Sequence, residues 1–349
     1  MTLLRHVLTA LVAGVVLFLL ATRLSAYRDY QMAEIAAYVV AVAGLTVLIG
    51  ISGQISIGQG AFMAVGAYAT ALILQHQAAW PIWLVLIVAT LATALAGAIV
   101  GIAAARLRGP YLAGVTLMLA VALPSVAEAY QSVLGGDQGL PVAATVPGFL
   151  GVSFPLTRWQ AWLGIAAALV VLVLLANLMR SGIGRNWRAI RDDEVAASLA
   201  GLNVARLKVL AFIVSAACAG LGGALFGVVT TIASPGAFTL TLSIGLLTAA
   251  VIGGLGSLAG AIWGSLLLVL VPSYLSNVAS SHGLSSAASS SVPIAAYGLV
   301  LIAVMLAFPG GIQGALRRLL GPTAPAATTP LSALRRHASA SDHKEESKT

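Results

Sequence analysis

The chain has 349 residues, of which 60% are hydrophobic and only 8% are charged, and its mean hydropathy is +1.01. A single soluble core could not bury this much apolar surface, so the composition excludes a soluble globular protein and predicts a lipid-embedded one. The formal net charge is +8, but the basic residues are dispersed in separate segments rather than interleaved with aromatic residues, which argues against nucleic-acid binding.

Apolar runs long enough to cross about 30 Å of hydrocarbon recur along almost the whole chain. A closed β-barrel would need short segments that alternate with a period of two, whereas these runs are continuous, so helices are predicted. In chain order the ten predicted spans are 6–24, 31–50, 57–75, 82–105, 110–130, 159–179, 207–232, 241–254, 258–275 and 292–309. The first run resembles a signal peptide, but it is long and no clear cleavage site follows it, so we predict a retained span.

Basic segments predict the orientation of the spans, because Lys and Arg are enriched in cytoplasmic loops. These segments are Arg106 with Arg108, Arg180 to Lys208, and Arg317 with Arg318. Ten spans place all of them, and both termini, in the cytoplasm. The glycine-rich stretch 253–257 leaves open whether 240–275 forms one tilted helix or two shorter ones. We predict two, because one helix would give nine spans and place Arg317 outside.

Two segments have low complexity. The end of the chain, residues 321–349, is rich in Pro, Ala, Ser and Thr with mixed charge, which predicts a disordered cytoplasmic tail after a transmembrane domain of residues 1–320. The Ser-rich segment 280–291 is placed outside by the predicted topology.

Residues that carry chemistry are few. Among the ten acidic residues, only Glu34 and Glu128 fall inside predicted spans, each near an end, which disfavours ion coupling. None of the lysines has the Gly-Lys-Ser/Thr context of a phosphate-binding loop. The histidines are scattered, and the single cysteine, Cys218, lies in an apolar run. We therefore predict no metal site, no cofactor and no catalytic cluster, and we expect the protein not to be an enzyme.

The segment that begins at Ser181, SGIGRNWRAIRDDEVAASLAGLNVARLK, is the most informative soluble part of the chain. Within it Trp187, Ile190, Val195 and Leu199 recur at helical spacing, which predicts one short amphipathic helix. Such a helix could lie at the membrane surface or dock into a cleft on a cytoplasmic protein.

A second polar feature is ISGQISIGQGAFMAVGAY, which starts at Ile51. Here Gln54, Ser56 and Gln59 lie in glycine-rich sequence between two apolar runs. Polar amides and irregular backbone at membrane depth are tolerated only against protein or a wet cavity. These three residues therefore either line a translocation pathway or tie helices together.

Four segments between about residues 44 and 314 carry a family resemblance. They are GLTVLIGISGQISIGQGAFMAVGAYA from Gly44, RLRGPYLAGVTLMLA from Arg106 with the later GGDQGLPV, GRNWRAIRDDEVAASLAGLNVARLKVLAFIVSAACAGLGGALFG from Gly184, and SIGLLTAAVIGGLGSLAGAIWG from Ser243. Together they resemble the LivM-type permeases of ABC importers for branched-chain amino acids.

The resemblance implies an all-α, polytopic permease domain over residues 1–320 in the bacterial inner membrane, surrounded by lipid. Its implied partners are a second related permease, two cytoplasmic ATP-binding subunits that hydrolyse the ATP, and a periplasmic solute-binding protein. The implied substrates are branched-chain or related amino acids. Urea or short amides are the alternative within the family, and an ion-coupled secondary carrier is the alternative from another class.

The resemblance also implies a cytoplasmic coupling helix that docks on the ATP-binding subunits. Its expected residues are Arg188, Arg191, Glu194, Ala196, Ala197 and Gly201. Val195 interrupts the simplest form of the acidic-Ala-Ala-spaced-Gly signature. We expect Gly201 to end the helix with a left-handed C-cap and the two alanines to allow close approach of the partner.

Overall fold

The structure is a computed structural model, which describes residues 2–77, 79–106, 110–148, 151, 154–281, 295, 298–299, 302–303, 306 and 310–320. The predicted span 292–309, apart from those isolated positions, and the predicted tail 321–349 lie outside the described residues, as does most of segment 280–291. Contacts within the chain group it into two units, Met1–Gln313 and Gly314–Thr349.

The described residues are mainly helical. The helices are α1 Thr2–Ala21, α2 Ala26–Gly50, α3 Gln59–His76, α4 Ile82–Ala104, α5 Pro110–Ala129, α6 Gln131–Leu134, α7 Leu156–Arg180, α8 Gly182–Asp192, α9 Glu194–Leu199, α10 Val204–Thr230, α11 Leu240–Gly253, α12 Leu258–Ser281 and α13 Gly311–Leu320. Two short strands, β1 Leu140–Pro141 and β2 Ile232–Ala233, pair antiparallel with Leu140 opposite Ala233. Single 3₁₀ turns form at Gly136–Gln138 and Pro235–Ala237.

Every predicted span from 6–24 to 258–275 coincides with one of these helices. In the described part of the chain, seven helical segments are long and apolar enough to cross a membrane: α2, α4, α5, α7, α10, α11 with its preceding turn, and α12. The first helix adds a shorter apolar stretch, Leu8–Ala21, and α3 has 18 residues. The protein is thus a polytopic α-helical membrane protein, and the count of ten spans stays a prediction.

The glycine-rich stretch 253–257 divides the chain into two helices, as predicted. The φ angle is +113° at Gly254 and +79° at Gly256, a region in which a Cβ is strained and glycine is favoured. The two helices, α11 and α12, then pack against each other. A Cβ placed on Gly264 of α12 would overlap the Ala249 carbonyl of α11, so small residues set their close approach.

The core lies around α10, which packs against α2, α3 and α4. Glycine permits this contact on three sides of the helix. A Cβ on Gly220 would overlap Thr93 of α4, and one on Gly223 would overlap the backbone of Met63 in α3. A Cβ on Gly222 would lie 2.7 Å from a carbonyl oxygen of α2. Close packing of small residues is the usual way in which membrane helices associate.

An ion pair joins the first turns of α2 and α7. The predicted span began at 31, but α2 begins at Ala26 and therefore contains Asp29. Asp29 is fully buried, and its Oδ2 lies 3.5 Å from Nε of Arg158. The expectation that Glu34 and Glu128 are the only acids within spans is thus wrong. The pairing compensates a carboxylate that would be costly to bury alone.

Candidate functional site

The first helix of the predicted coupling segment, α8, packs on the membrane helices through its apolar face. Trp187 is fully buried, and Ile190 is nearly so. The indole Nε1 of Trp187 donates a hydrogen bond of 2.8 Å to the carbonyl oxygen of Leu207 in α10. This bond satisfies the one polar atom of a buried Trp side chain, so α8 is fixed to the start of α10.

The predicted single amphipathic helix is wrong, because the chain breaks at Asp193. This residue has an extended backbone, with φ −158° and ψ 111°. Its carboxylate accepts hydrogen bonds from the backbone N–H groups of Val195 at 2.8 Å and Ala196 at 3.0 Å. An Asp N-cap of this kind satisfies the free donors at a helix start. A second helix, α9, therefore begins at Glu194.

The break changes which residues share a face. In α8 the side chains of Trp187 and Ile190 are buried, whereas in α9 those of Val195 and Leu199 are 69% and 84% exposed. The four residues were predicted to lie on one apolar stripe. They instead form a buried anchor and a separate exposed apolar surface, which we call the α9 surface, defined by Val195 and Leu199.

Gly201 ends α9 with the left-handed C-cap that was predicted. Its φ is +84°, its N–H donates to the carbonyl of Ser198 at 3.0 Å, and the next N–H, of Leu202, donates to the carbonyl of Ala197 at 3.1 Å. These two bonds form a Schellman motif. The two predicted alanines differ, because Ala196 is exposed whereas Ala197 is only 4% exposed. Only Ala196 is open to a partner.

Both predicted coupling arginines bind the ends of membrane helices. An Nη atom of Arg188 donates to the carbonyl of Met179 in the last turn of α7, at 3.1 Å. An Nη atom of Arg191 donates to the carbonyl of Gly50, the last residue of α2, at 2.6 Å. Carbonyl groups at helix C-termini lack partners within the helix and carry a partial negative charge, so guanidinium groups suit them.

Glu194, another of the predicted coupling residues, makes an ionic contact. The carboxylate of Glu194, the first residue of α9, pairs with the ammonium of Lys208 in α10. Lys208 is 8% exposed, so the ion pair provides a counter-charge for a nearly buried cation. Together with the Trp187 and arginine contacts, it connects α8 and α9 to α2, α7 and α10.

Of the predicted polar residues, Gln54 and Ser56 lie in the break between α2 and α3, and Gln59 is the first residue of α3. All three are buried. The Gln54 amide Nε2 donates to Ser52 Oγ at 3.0 Å and to the Lys208 carbonyl at 3.2 Å. Its Oε1 is buried without a hydrogen-bond partner among the residues that the structure describes.

Of the other two residues, Gln59 bonds to neighbouring helices, whereas Ser56 makes a local bond within the break. Gln59 donates from Nε2 to the Ala41 carbonyl of α2 at 2.8 Å and accepts at Oε1 from the Ser215 hydroxyl of α10 at 3.3 Å. Ser56 Oγ accepts from the Gly58 N–H at 3.4 Å. Gln59 therefore ties three helices together, as in the helix-tying interpretation, whereas Gln54 retains an unused acceptor.

The two predicted regions meet at one place. Lys208 binds Glu194 through its side chain and Gln54 through its carbonyl. Gly53, in the break, has a φ of +75°, and a Cβ there would lie 2.8 Å from Cγ of Arg191. The coupling segment and the break between α2 and α3 thus form one connected site, which the sequence did not predict.

Residues 27–309 match the family described as the permease component of the branched-chain amino acid transport system. The chain belongs to this permease family. All the predicted site residues, from Gln54 to Gly201, lie within the matched region.

Among curated relatives, the chain is 34% identical to the high-affinity branched-chain amino acid transport permease LivM of Salmonella typhimurium over 255 residues, 67% of this chain and 60% of that protein. It is 28% identical to LivH of Escherichia coli over 291 residues, 79% of this chain and 91% of that protein. It is 34% identical to BraD of Pseudomonas aeruginosa over 155 residues, 44% of this chain and 47% of that protein. The chain thus spans about 60% of the LivM relatives' length. No solved structure gave a significant match.

Proposed function

We propose that this protein is a permease subunit of an ATP-driven importer that moves branched-chain or related amino acids across the bacterial inner membrane. The observation that supports this most directly is the attachment of α8 and α9. This pair binds α2, α7 and α10 through polar side chains while the apolar α9 surface stays exposed.

The exposed side chains suit a docking role. An amphipathic segment commonly binds a partner by placing apolar anchors in a groove, and Val195 and Leu199 are anchors of that kind. The partner would be a cytoplasmic ATP-binding subunit. Because Arg191 and Glu194 hold helix ends of the bundle, a displacement of α9 by that subunit would be passed to the membrane spans. Arg188, Ala196 and Gly201 complete the proposed coupling residues.

The break between α2 and α3, together with the first residue of α3, is the proposed pathway segment, with Gln54, Ser56 and Gln59 as its polar residues. Two observations support a role for Gln54 in particular. Its Oε1 is a buried acceptor without a partner in the described part of the chain, a group that would gain a hydrogen bond from the N–H of a solute if the pathway opened beside it. Its amide also binds the Lys208 carbonyl, so the break and α10 are connected. In this assignment Gln59 holds the helices around the pathway.

The proposed assembly contains a second related permease, two ATP-binding subunits and a periplasmic solute-binding protein. The similarity to both LivM and LivH, two permease proteins named for the same transport system in Escherichia coli, supports pairing of two related chains. Both termini are proposed to be cytoplasmic, with ten spans. In support, Arg106 and Arg206 border the same groove, which places two basic segments at one end of the bundle.

Site-directed labelling tests the orientation. A cysteine at Ser198 should react only from the cytoplasm, and one at Gln138 only from the periplasm. Cys218 is buried and should give little background. A reporter at Ser285, outside the described residues, should be periplasmic. Labelling of Ser198→Cys from the periplasm would contradict the topology.

Transport by the purified complex in proteoliposomes tests the function. We expect uptake of radiolabelled leucine that requires ATP, the ATP-binding subunits and the solute-binding protein. Uptake of urea but not leucine would assign the amide alternative. Uptake driven by an ion gradient, without the ATP-binding subunits, would instead identify a secondary carrier and refute the proposal.

A further inference from the structure

Lys208 is a cation near the start of a long apolar helix. It lies one turn after Val204, the first residue of α10, and is 8% exposed. Its ion-pair partner Glu194 has a side chain that is 44% exposed. One member of the pair is thus fixed inside the bundle, while the other lies on the short helix that faces outward.

The backbone of this part of α10 holds two further side chains. The Lys208 carbonyl accepts the hydrogen bond from Gln54 in the α2–α3 break, and the adjacent Leu207 carbonyl accepts the one from Trp187 in α8. One turn of α10 therefore binds α8, α9 and the break at the same time. Among these contacts, the Glu194–Lys208 pair is the one that involves α9.

We propose that Lys208 is a positioning residue that couples α9 to α10 and to the α2–α3 break during transport. This rests on the proposed function, in which an ATP-binding subunit displaces α9. If Glu194 moved away alone, the ammonium would be left nearly buried without its counter-ion, which is strongly unfavourable. Within the described residues Lys208 forms an ion pair with Glu194 alone. The start of α10 must therefore follow α9, and the carbonyl bound by Gln54 moves with it.

A charge-reversal experiment tests this coupling in the whole importer complex in proteoliposomes. The variants are Lys208→Met, Glu194→Gln and the swap that combines Glu194→Lys with Lys208→Glu. Arg206→Gln is the matched control, because Arg206 is also basic and lies in the same turn but is exposed. The readouts are leucine uptake, ATP hydrolysis, and retention of the ATP-binding subunits on the purified permease.

We expect each single variant to retain its ATP-binding subunits and hydrolyse ATP, but to take up about tenfold less leucine per ATP. The swap should recover most of this loss, and Arg206→Gln should behave as the unmodified chain. Unchanged uptake per ATP in both single variants would overturn the proposal, as would a swap that stays uncoupled or does not assemble. If the single variants failed to assemble, the swap alone would decide. If the unmodified complex showed no ATP-dependent uptake, the proposed function itself would fail, whatever the variants did.

Discussion

An Nη atom of Arg191 lies 2.6 Å from the carbonyl oxygen of Gly50, the last residue of α2. This bond places a cation at the negative end of a helix dipole and occupies a carbonyl that has no partner inside the helix. It also brings a residue of the proposed coupling segment to the point where α2 ends and the break begins. The contact therefore predicts an effect of Arg191 on both stability and transport.

Replacement of Arg191 by Gln removes the charge and shortens the side chain, so the Gly50 carbonyl loses its donor. We expect the purified permease in detergent to lose about 1–2 kcal/mol of stability, and uptake to fall. Thermal unfolding and leucine uptake measure the two effects. Arg185→Gln is the control, because Arg185 is exposed in the same helix. Equal effects of both changes would mean that general charge, rather than the cap, is responsible.

The α9 surface predicts where an ATP-binding subunit docks. Leu199→Asp places a charge on a side chain that is 84% exposed, so the isolated permease should fold normally. It should no longer co-purify with the ATP-binding subunits, because the anchor would carry a charge into an apolar groove. Val133→Asp, at another exposed apolar position, should leave co-purification intact. Retention of the subunits by Leu199→Asp would argue that α9 rests on lipid.

A bulky substitution at Ala197 would not test whether α9 docks on a partner. The Ala197 side chain is 4% exposed, so a Trp there would overpack the contact of α9 with the bundle instead of blocking a partner. The exposed neighbour Ala196 offers the direct steric test. Ala196→Trp should prevent docking without a large change in the thermal stability of the isolated permease.

The C-cap at Gly201 predicts that two substitutions differ in how much they lower uptake. The φ of +84° is costly for a β-branched residue, and no atom lies within 4 Å of an added Cβ, so the cost of Gly201→Val is one of backbone strain, about 1 kcal/mol or more. Uptake should fall in this variant. Gly201→Asn should be tolerated better, because Asn adopts left-handed backbone more readily. Similar uptake by both variants would show that the exit angle of α9 does not affect coupling.

Gln54→Leu separates the pathway role from helix tying. Leucine removes the free acceptor Oε1 and the donor to Lys208, and we expect uptake to fall while the complex still assembles. Gln59→Leu, which breaks the links to Ala41 and Ser215, should instead lower the thermal stability of the permease. Failure of the Gln54→Leu complex to assemble would assign that residue to helix tying.

Replacement of two helical glycines, Gly223 and Gly114, by alanine should change the stability of the permease in opposite directions. A Cβ on Gly223 would overlap the Met63 backbone, whereas nothing lies within 4 Å of one on Gly114 in α5. Gly223→Ala should lower the stability of the permease in detergent by about 1–3 kcal/mol. Gly114→Ala should raise it by about 0.5–1 kcal/mol, because alanine restricts the unfolded chain and favours helix. Thermal unfolding of the two variants side by side checks both signs.

The membrane helices could be predicted because each one corresponds to an uninterrupted apolar run in the sequence. The break at 253–257 could be predicted because it is rich in glycine. The break at Asp193 was not predicted, because the apolar residues keep their helical spacing across it. The chain breaks there because the Asp193 side chain caps the start of α9. Asp29 was missed because the predicted span began at residue 31, and nothing near it in sequence indicates its partner Arg158.

The role of Lys208 was equally invisible in the sequence. In the sequence, Lys208 lies near the start of an apolar run and is not part of a phosphate-binding loop. No residue next to it indicates that Glu194 and Gln54 are its partners. The residues of both regions were selected from the sequence, but the contact between the two regions depends on how α10 packs between α2 and α8. Contacts between residues far apart in the chain produce no periodic pattern in the sequence from which they could be predicted.

Glycine packing along α10 has a mechanical consequence. Where backbone rests on backbone, as at Gly223 against Met63, no flexible side chain remains to absorb a small shift, and tightly packed interiors transmit strain. The 27 residues of α10 extend about 40 Å, and β2 follows almost at once, with Ala233 held against Leu140. An axial displacement at the Lys208 end should therefore be shared with the helices packed on α10 and should extend to β2, which pairs with the strand that contains Leu140.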